Sequence, residues 1–203
     1  MMRPLAALLL IAALAFSGCG DSEDPTGPII DQHEYQPAVS PEALLQVFVE
    51  IYEERDLNAY DDLLDPRFRF SFLDEGFSWE KPEDLASTDN LFSGEARTNS
   101  QGQLTRAISA IAVDRMLLTE GWTDVPAEHP SFGQVPGART ALYSHMIVFT
   151  HPAGTITLSG RQRFFAAPTV TGSDTLWSLL GQEDIPFKSS EQTSWSDLKA
   201  LYR

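Results

Sequence analysis

The clearest structural pattern in the chain is the stretch TALYSHMIVFTHPAGTITLSGRQRFF, residues 140–165. Two runs of alternating apolar and polar residues flank the tetrapeptide HPAG at residues 151–154, a sequence typical of a tight turn. The alternation has the period of a β-strand, whose successive side chains point to opposite faces of a sheet. We therefore predict an antiparallel hairpin made of strands Thr140–Thr150 and Thr155–Phe165.

The register of this hairpin assigns its side chains to two faces. If Thr150 lies opposite Thr155, then His145 lies opposite Gly160 and Tyr143 lies opposite Gln162. The same face carries mostly apolar residues, which predicts that it points inward: Ile147, Phe149, Ile156, Leu158 and Phe164. The other face carries Thr155, Thr157, Ser159, Arg161 and Arg163 and is predicted to point outward. A shift of one residue would move His145 to the outer face.

Three helices are predicted before the hairpin. The first begins after Ser40-Pro41-Glu42, where Ser is a good N-cap and Pro suits the first helical position. Its apolar stripe contains Leu44, Val47, Phe48 and Ile51 and continues to Arg55. The second helix covers Leu57–Leu64 and stops at Asp65-Pro66, because proline cannot continue a helix. The third covers Pro82–Phe92.

The remaining pattern is that of strands. Phe68, Phe70 and Phe72 alternate with polar residues, and further strands are predicted over Arg106–Leu118 and Leu176–Gln182, with a long loop over Gly121–Gly137. The segment Thr193–Tyr202 is predicted to be a short helix that packs on the domain through Trp195 and Leu198. Helices followed by strands indicate an α+β fold, with the N-terminal helices packed on one face of an antiparallel sheet.

The N-terminus has the features of an export signal. Arg3 supplies a positive charge, and the uncharged run Leu5–Phe16 is too short to span a bilayer. The following Phe16-Ser17-Gly18-Cys19 resembles the lipobox of bacterial lipoproteins, which implies that Cys19 is lipidated. The alternatives are an uncleaved anchor, ordinary secretion, or a buried or disulfide-bonded Cys19, although no second cysteine is present.

This reading divides the chain into three parts. Residues 1–18 are predicted to be a lipoprotein signal peptide, and residues 19–39 a lipidated N-terminus with a flexible linker. Residues 40–203 are predicted to form a single domain. The protein is then expected in the cell envelope, anchored to a membrane by its lipid and facing the extracytoplasmic side.

Charge and residue spacing exclude several functions. The net charge of −15 argues against nucleic acid as a partner, because phosphates would be repelled. His33, His129, His145 and His151 are scattered and lack metal-ligand spacing. The sequence contains no glycine-rich phosphate loop and no nucleophile elbow. We therefore predict neither a cofactor nor a metal.

The order of elements resembles the nuclear transport factor 2-like superfamily, which includes ketosteroid isomerase and SnoaL-like polyketide cyclases. The resemblance rests on an opening helix ending in YEERD at residues 52–56, the stretch PRFRF at 66–70, the long hairpin, and LWSLL at 176–180. It implies a strongly curved sheet folded around the helices into a cone with a pocket. Because members include enzymes and non-catalytic carriers, the resemblance assigns no function.

The hairpin register supplies the candidate pocket residues: Tyr143, His145, Gly160, Gln162 and Asp114. His145 is either an acid/base or ligand-binding group, or a core histidine satisfied by a neighbouring carbonyl. Asp114 points into the interior, lies at a bulge, or pairs with Arg115. Asp184 is expected to cap a turn before Pro186. No residue is singled out as catalytic.

Three functions follow from these expectations. The first is non-catalytic binding of a small apolar ligand or a partner protein by a lipid-anchored domain. The second is an isomerase, dehydratase or cyclase that uses His145, with Asp114 as a further candidate. The third is a structural envelope lipoprotein whose cone is filled by its own side chains.

Overall fold

A computed structural model describes residues 33–73, 76–99, 102–171, 174–185, 198–199 and 201–202. The chain divides into two compact units, Met1–Glu34 and Tyr35–Arg203, and the fold below is that of the second unit. Its elements are the helices α1 (Pro41–Glu54), α2 (Leu57–Leu63) and α3 (Lys81–Phe92), and the strands β1 (Leu64–Phe72), β2 (Phe77–Glu80), β3 (Ala110–Asp124), β4 (Arg139–His151), β5 (Gly154–Thr171) and β6 (Asp174–Ile185).

Residues before α1 pack against the second unit. The Tyr35 hydroxyl donates a hydrogen bond to Glu54 Oε2 at 2.9 Å, and the Trp177 backbone N–H donates to the Ala38 carbonyl at 2.8 Å. Both Tyr35 and Ala38 are partly buried against the core. The compact unit Tyr35–Arg203 thus includes the residues that directly precede α1.

The helix termini follow from the local sequence. The Ser40 hydroxyl accepts a hydrogen bond from the Ala43 N–H at 3.1 Å, which confirms the predicted N-cap of α1. Arg55 ends this helix in the left-handed conformation, with φ of 58°. Helix α2 ends at Leu63, one residue before the predicted end at Leu64. Asp65 and Pro66, predicted to stop the helix, already belong to β1.

The six strands form one curved, unclosed sheet in the order β2-β1-β6-β5-β4-β3, with the helices packed on it. This confirms the predicted α+β class. The sheet is not wholly antiparallel as expected, because β1 and β6 pair in parallel. They are far apart in the sequence and no hairpin turn joins them, so local patterns carry no information on their relative direction.

The predicted hairpin is confirmed at residue resolution. Thr150 pairs with Thr155 and His145 pairs with Gly160, and the same register continues to the pair Arg139 and Ala166. Side chains on the predicted inner face are buried or partly buried, whereas most of those on the outer face are exposed. Burial of one face fixes the register, because a slip of one residue would expose the entire apolar set.

The core between the helices and the concave face of the sheet is largely aromatic. Tyr52 lies at its centre, with ring centroids 4.6 Å from Phe48, 5.3 Å from Tyr60 and 5.0 Å from Phe92. The alternating phenylalanines of β1 also point into this core and are almost fully buried. These aromatic side chains fill the region beneath the C-terminal half of α1.

A second, smaller core lies on the opposite face of the sheet. The loop between β3 and β4 folds back and places Phe132 against Phe165, with ring centroids 4.7 Å apart. A Cβ atom at Gly181 would lie 2.4 Å from Phe132 Cζ, so only glycine leaves room for this ring. The loop predicted over Gly121–Gly137 therefore covers a buried patch, and β3 extends into its first residues.

Candidate functional site

His145 projects from β4 onto the concave side of the sheet and is only 3% exposed. A Cβ atom at Gly160, opposite it on β5, would lie 2.8 Å from His145 Cε1. The imidazole thus occupies the space that the missing Gly160 side chain leaves, as the sequence predicts. Any larger residue at position 160 would displace the ring.

Polar side chains continue from His145 across the neighbouring strands. Gln162 lies opposite Tyr143 on β4 and opposite Asp184 on β6. Gln182 lies on the same face of β6 as Asp184, and Asp184 is 5% exposed and Gln182 fully buried. We call His145, Gln162, Gln182 and Asp184 the inner polar patch.

Two members of this patch were not predicted from the sequence. The prediction ended the closing strand at Gln182 and placed Asp184 in a turn, but β6 continues to Ile185 and Asp184 lies within it. Continuing the strand alternation by three residues would have placed both side chains on the face of Gln162. The residues after Gly181 are polar and lack the apolar alternation that indicates a strand, so the sequence did not predict this continuation.

The glutamine amides of the patch have unused hydrogen-bonding capacity. Among the described residues, neither Gln162 Nε2 nor either amide atom of Gln182 has a hydrogen-bond partner. Buried polar atoms in proteins are nearly always satisfied by protein, water or ligand atoms. Water or a polar group of a ligand can therefore supply the missing partners of these amides.

The electrostatic environment keeps His145 neutral. Burial lowers the pKa of its imidazole from 6.5 to about 4. A neutral imidazole offers one hydrogen-bond donor and one acceptor. A general base works best when its pKa lies near the working pH, so His145 is better suited to hydrogen bonding than to proton abstraction at neutral pH.

An open groove lies beside this patch, between α1 and strands β3 and β4. Its volume is about 370 Å³, and it is lined by Glu42, Leu45, Gln46, Val49, Glu50, Met116 and Tyr143. We call it the α1 groove. Met116 pairs directly with His145, and Tyr143 is two residues from His145 on the same face of β4. The floor of the groove thus adjoins the inner polar patch.

A side-chain contact joins α1 to β3 near this groove. Glu53 Oε1 accepts a hydrogen bond of 2.8 Å from the backbone N–H of Val113. The pairing of β3 with β4 is irregular directly after Val113: Val113 pairs with Ile147 and Arg115 pairs with the adjacent Met146, so Asp114 has no partner on β4. Asp114 is the extra residue of this bulge and is exposed. It therefore does not line the interior, and the expectation that it lies at a bulge is the correct one.

A separate buried group, not predicted from the sequence, joins the C-terminal segment to α3. Lys199 Nζ forms an ion pair with Asp84 Oδ1, and both side chains are fully buried. The Tyr60 hydroxyl donates to Asp84 Oδ2 at 2.8 Å, and Lys199 Nζ lies 3.4 Å from Thr88 Oγ1. Phe70 covers the ammonium group, with its ring centroid 5.1 Å from Nζ.

Several predicted features fall outside the described residues. These are the signal peptide, Cys19 and Trp195, whereas Leu198 is described and is buried in the main core. Within the described residues, no group of three or more His, Cys, Asp or Glu side chains could hold a metal ion. The described part of the chain also contains no helix long and apolar enough to cross a membrane.

The chain is similar to solved structures in its fold alone. No protein-family model and no curated protein sequence matches the chain. A conserved protein from Planctomyces limnophilus is 13% identical, with 72% of this chain and 94% of that chain covered and a TM-score of 0.50. An NTF2-like protein of unknown function in nutrient uptake from Rhodospirillum rubrum is 12% identical, with 73% and 98% covered and a TM-score of 0.45. A protein of unknown function from Mycobacterium tuberculosis is 13% identical, with 79% and 86% covered and a TM-score of 0.47.

Proposed function

We propose that this domain binds a small ligand with an apolar body in the α1 groove, without catalysing a reaction on it. The observation that carries the proposal is the open groove with an apolar wall and floor, whose Tyr143 lies opposite Gln162, a buried residue with no partner for Nε2 among the described residues. Its volume of about 370 Å³ is within the ~300–1,000 Å³ typical of small-molecule sites. The low pKa of His145 favours binding over acid/base chemistry.

Filling the groove tests this function. Val49 is partly buried on the groove wall, so Val49→Trp should place an indole in the cavity and abolish binding of a neutral probe, 1-octanol, measured by calorimetry. Val170→Trp is the matched control, because Val170 is 73% exposed on β5 and does not line the groove. Wild-type protein that binds no octanol would contradict the proposal and favour a structural role.

A second candidate function is an enzyme that uses His145 and Asp184. The favouring observation is that both side chains are buried on the concave face and flank Gln162. They lie two strands and two residues apart, about 12 Å by ordinary strand geometry, with Gln162 between them. An enzyme would convert a bound ligand and lose this activity in His145→Gln, whereas a binding domain returns its ligand unchanged.

We further propose that the protein is anchored to a membrane by a lipid on Cys19. The support is the sequence alone: a charged start, a short apolar run and the lipobox-like residues Phe16-Ser17-Gly18-Cys19. Cys19→Ala should abolish incorporation of radiolabelled fatty acid and move the protein from the detergent phase to the aqueous phase. A variant that is still labelled and still partitions into detergent would disprove lipidation.

A further inference from the structure

The rim of the α1 groove carries negative charge. Glu42, Gln46 and Glu50 are exposed at intervals of four residues, so they lie along one side of α1. Leu45 and Val49 form the apolar wall between them and the core. The two carboxylates lie eight residues apart, about 12 Å along the helix axis, one towards each end of the groove.

No cation of the described protein neutralises these carboxylates. Neither Glu42 nor Glu50 has an ion-pair partner among the described residues. Other acidic side chains are paired, as Asp61 is with Lys81 at 2.8 Å and Glu120 with Arg163 at 3.0 Å. The groove therefore combines an apolar interior with unneutralised negative charge at its opening.

The charge at the rim also affects the floor of the groove. Burial raises the pKa of the Tyr143 hydroxyl, and the negative charge of Glu42 adds to this rise, although the neighbouring Trp122 indole opposes it. Glu42 is thus close enough to act on a group inside the groove. An anionic ligand would be repelled there, and a cationic one attracted.

We propose that the α1 groove selects ligands with a cationic head group and a short apolar body, such as aliphatic amines. The apolar body lies against Leu45, Val49 and Met116, and the ammonium group lies beside Glu42 or Glu50. The volume of about 370 Å³ corresponds to roughly a dozen water-sized groups, which suits a short-chain amine. This inference rests on the proposed binding function and adds the charge of the ligand.

Three probes with the same eight-carbon chain separate charge from apolar contact: octylamine, 1-octanol and octanoate. At pH 7 the amine is protonated, as a lysine side chain is, the alcohol is neutral and the acid is anionic. We expect the full-length protein to bind octylamine about tenfold more tightly than octanol, and octanoate most weakly. Because the attraction is electrostatic and lies at the surface, the preference should shrink as salt is added.

Variants locate the charge that is recognised. The double variant Glu42→Gln/Glu50→Gln keeps the shape of the groove and should lower octylamine affinity to that of octanol, so that the tenfold preference is lost. Asp62→Asn/Glu128→Gln is the matched control, since it removes the same net charge from exposed positions that do not line the groove. The control should retain the tenfold preference.

The outcomes separate this inference from the binding function on which it rests. If octanol binds and octylamine binds no more tightly, the charge selection is wrong and the binding function stands. If none of the three probes binds, both are wrong. Affinity that increases when the protein is diluted would show that a second copy of the chain covers the groove, which would also overturn the inference.

Discussion

At the scale of single residues, His145 links burial to a measurable property. Its imidazole lies in the space left by Gly160 and is kept neutral by burial, which lowers its pKa to about 4. In the unfolded chain the same group has a pKa near 6.5. Below that value the unfolded state binds a proton that the folded state does not, so acid favours unfolding.

We therefore predict a pH dependence of stability that is specific to His145. Between pH 7 and pH 4 the wild-type protein should lose about 3 kcal/mol of unfolding free energy through this group. In His145→Gln the side chain at position 145 does not titrate, so this part of the loss in unfolding free energy should be absent. Denaturant unfolding of both proteins across the range gives the difference, and parallel pH profiles would contradict the predicted neutral histidine.

The site residues on the hairpin could be predicted from the sequence. Tyr143, His145, Gly160 and Gln162 follow from strand alternation and one turn, because the short loop fixes the register of the hairpin. For Asp114 the sequence left three placements open, because a bulge interrupts the strand alternation at this residue. Bulges depend on the geometry of the paired strands and leave no simple mark in the sequence.

At the scale of elements, the three helices and the long strands were predicted to within a few residues, apart from the limits of β3 and β5. Strand β2 was missed, since its four residues are too few to show a period. The parallel pairing of β1 with β6 was also missed, because residues more than one hundred positions apart decide it. Local patterns identify elements well, whereas their partners depend on the packing of the whole domain.

Hydrogen bonds attach the C-terminal segment to the rest of the domain. Ser87 Oγ donates to the Lys199 carbonyl at 2.8 Å, and Asn90 Nδ2 donates to the Tyr202 carbonyl at 2.8 Å. The Tyr202 hydroxyl donates to the Arg106 carbonyl at 2.7 Å. Together with the ion pair of Lys199, these bonds join the last residues of the chain to α3 and to the segment before β3.

We predict that this ion pair is needed for stability. Lys199→Met keeps much of the side-chain volume but leaves the Asp84 carboxylate buried without its cation, which should cost about 3 to 5 kcal/mol. Thermal or denaturant unfolding measures the loss. A cost below about 1 kcal/mol would show that Asp84 has become protonated or hydrated at little expense.

A double variant is the control for this prediction. Asp84→Asn/Lys199→Met removes both charges together, and the Tyr60 hydroxyl retains an amide oxygen as acceptor. We expect the double variant to be destabilised by less than the sum of the two single variants, because it leaves no unpaired buried charge. Additive losses would mean that the two side chains do not interact.

At the scale of the whole domain, the space between the helices and the curved sheet is filled in one region and open in another. The C-terminal half of α1 packs into the aromatic core, where Phe48 and Tyr52 are almost fully buried. The side of α1 carrying Glu42, Gln46 and Glu50 instead borders an open groove next to the inner polar patch. A filled interior stabilises the fold without cross-links, and the open groove is where a ligand can be bound.

Binding in the α1 groove is tested most directly by titrating the protein with 1-octanol and following its methyl groups by NMR. We predict that the methyl signals of Leu45, Val49 and Met116 shift in a saturable way, and that those of the exposed Val170 and Leu176 do not. Signals that stay in place at the groove, or that shift equally at Val170 and Leu176, would contradict the claim that the α1 groove is a binding site.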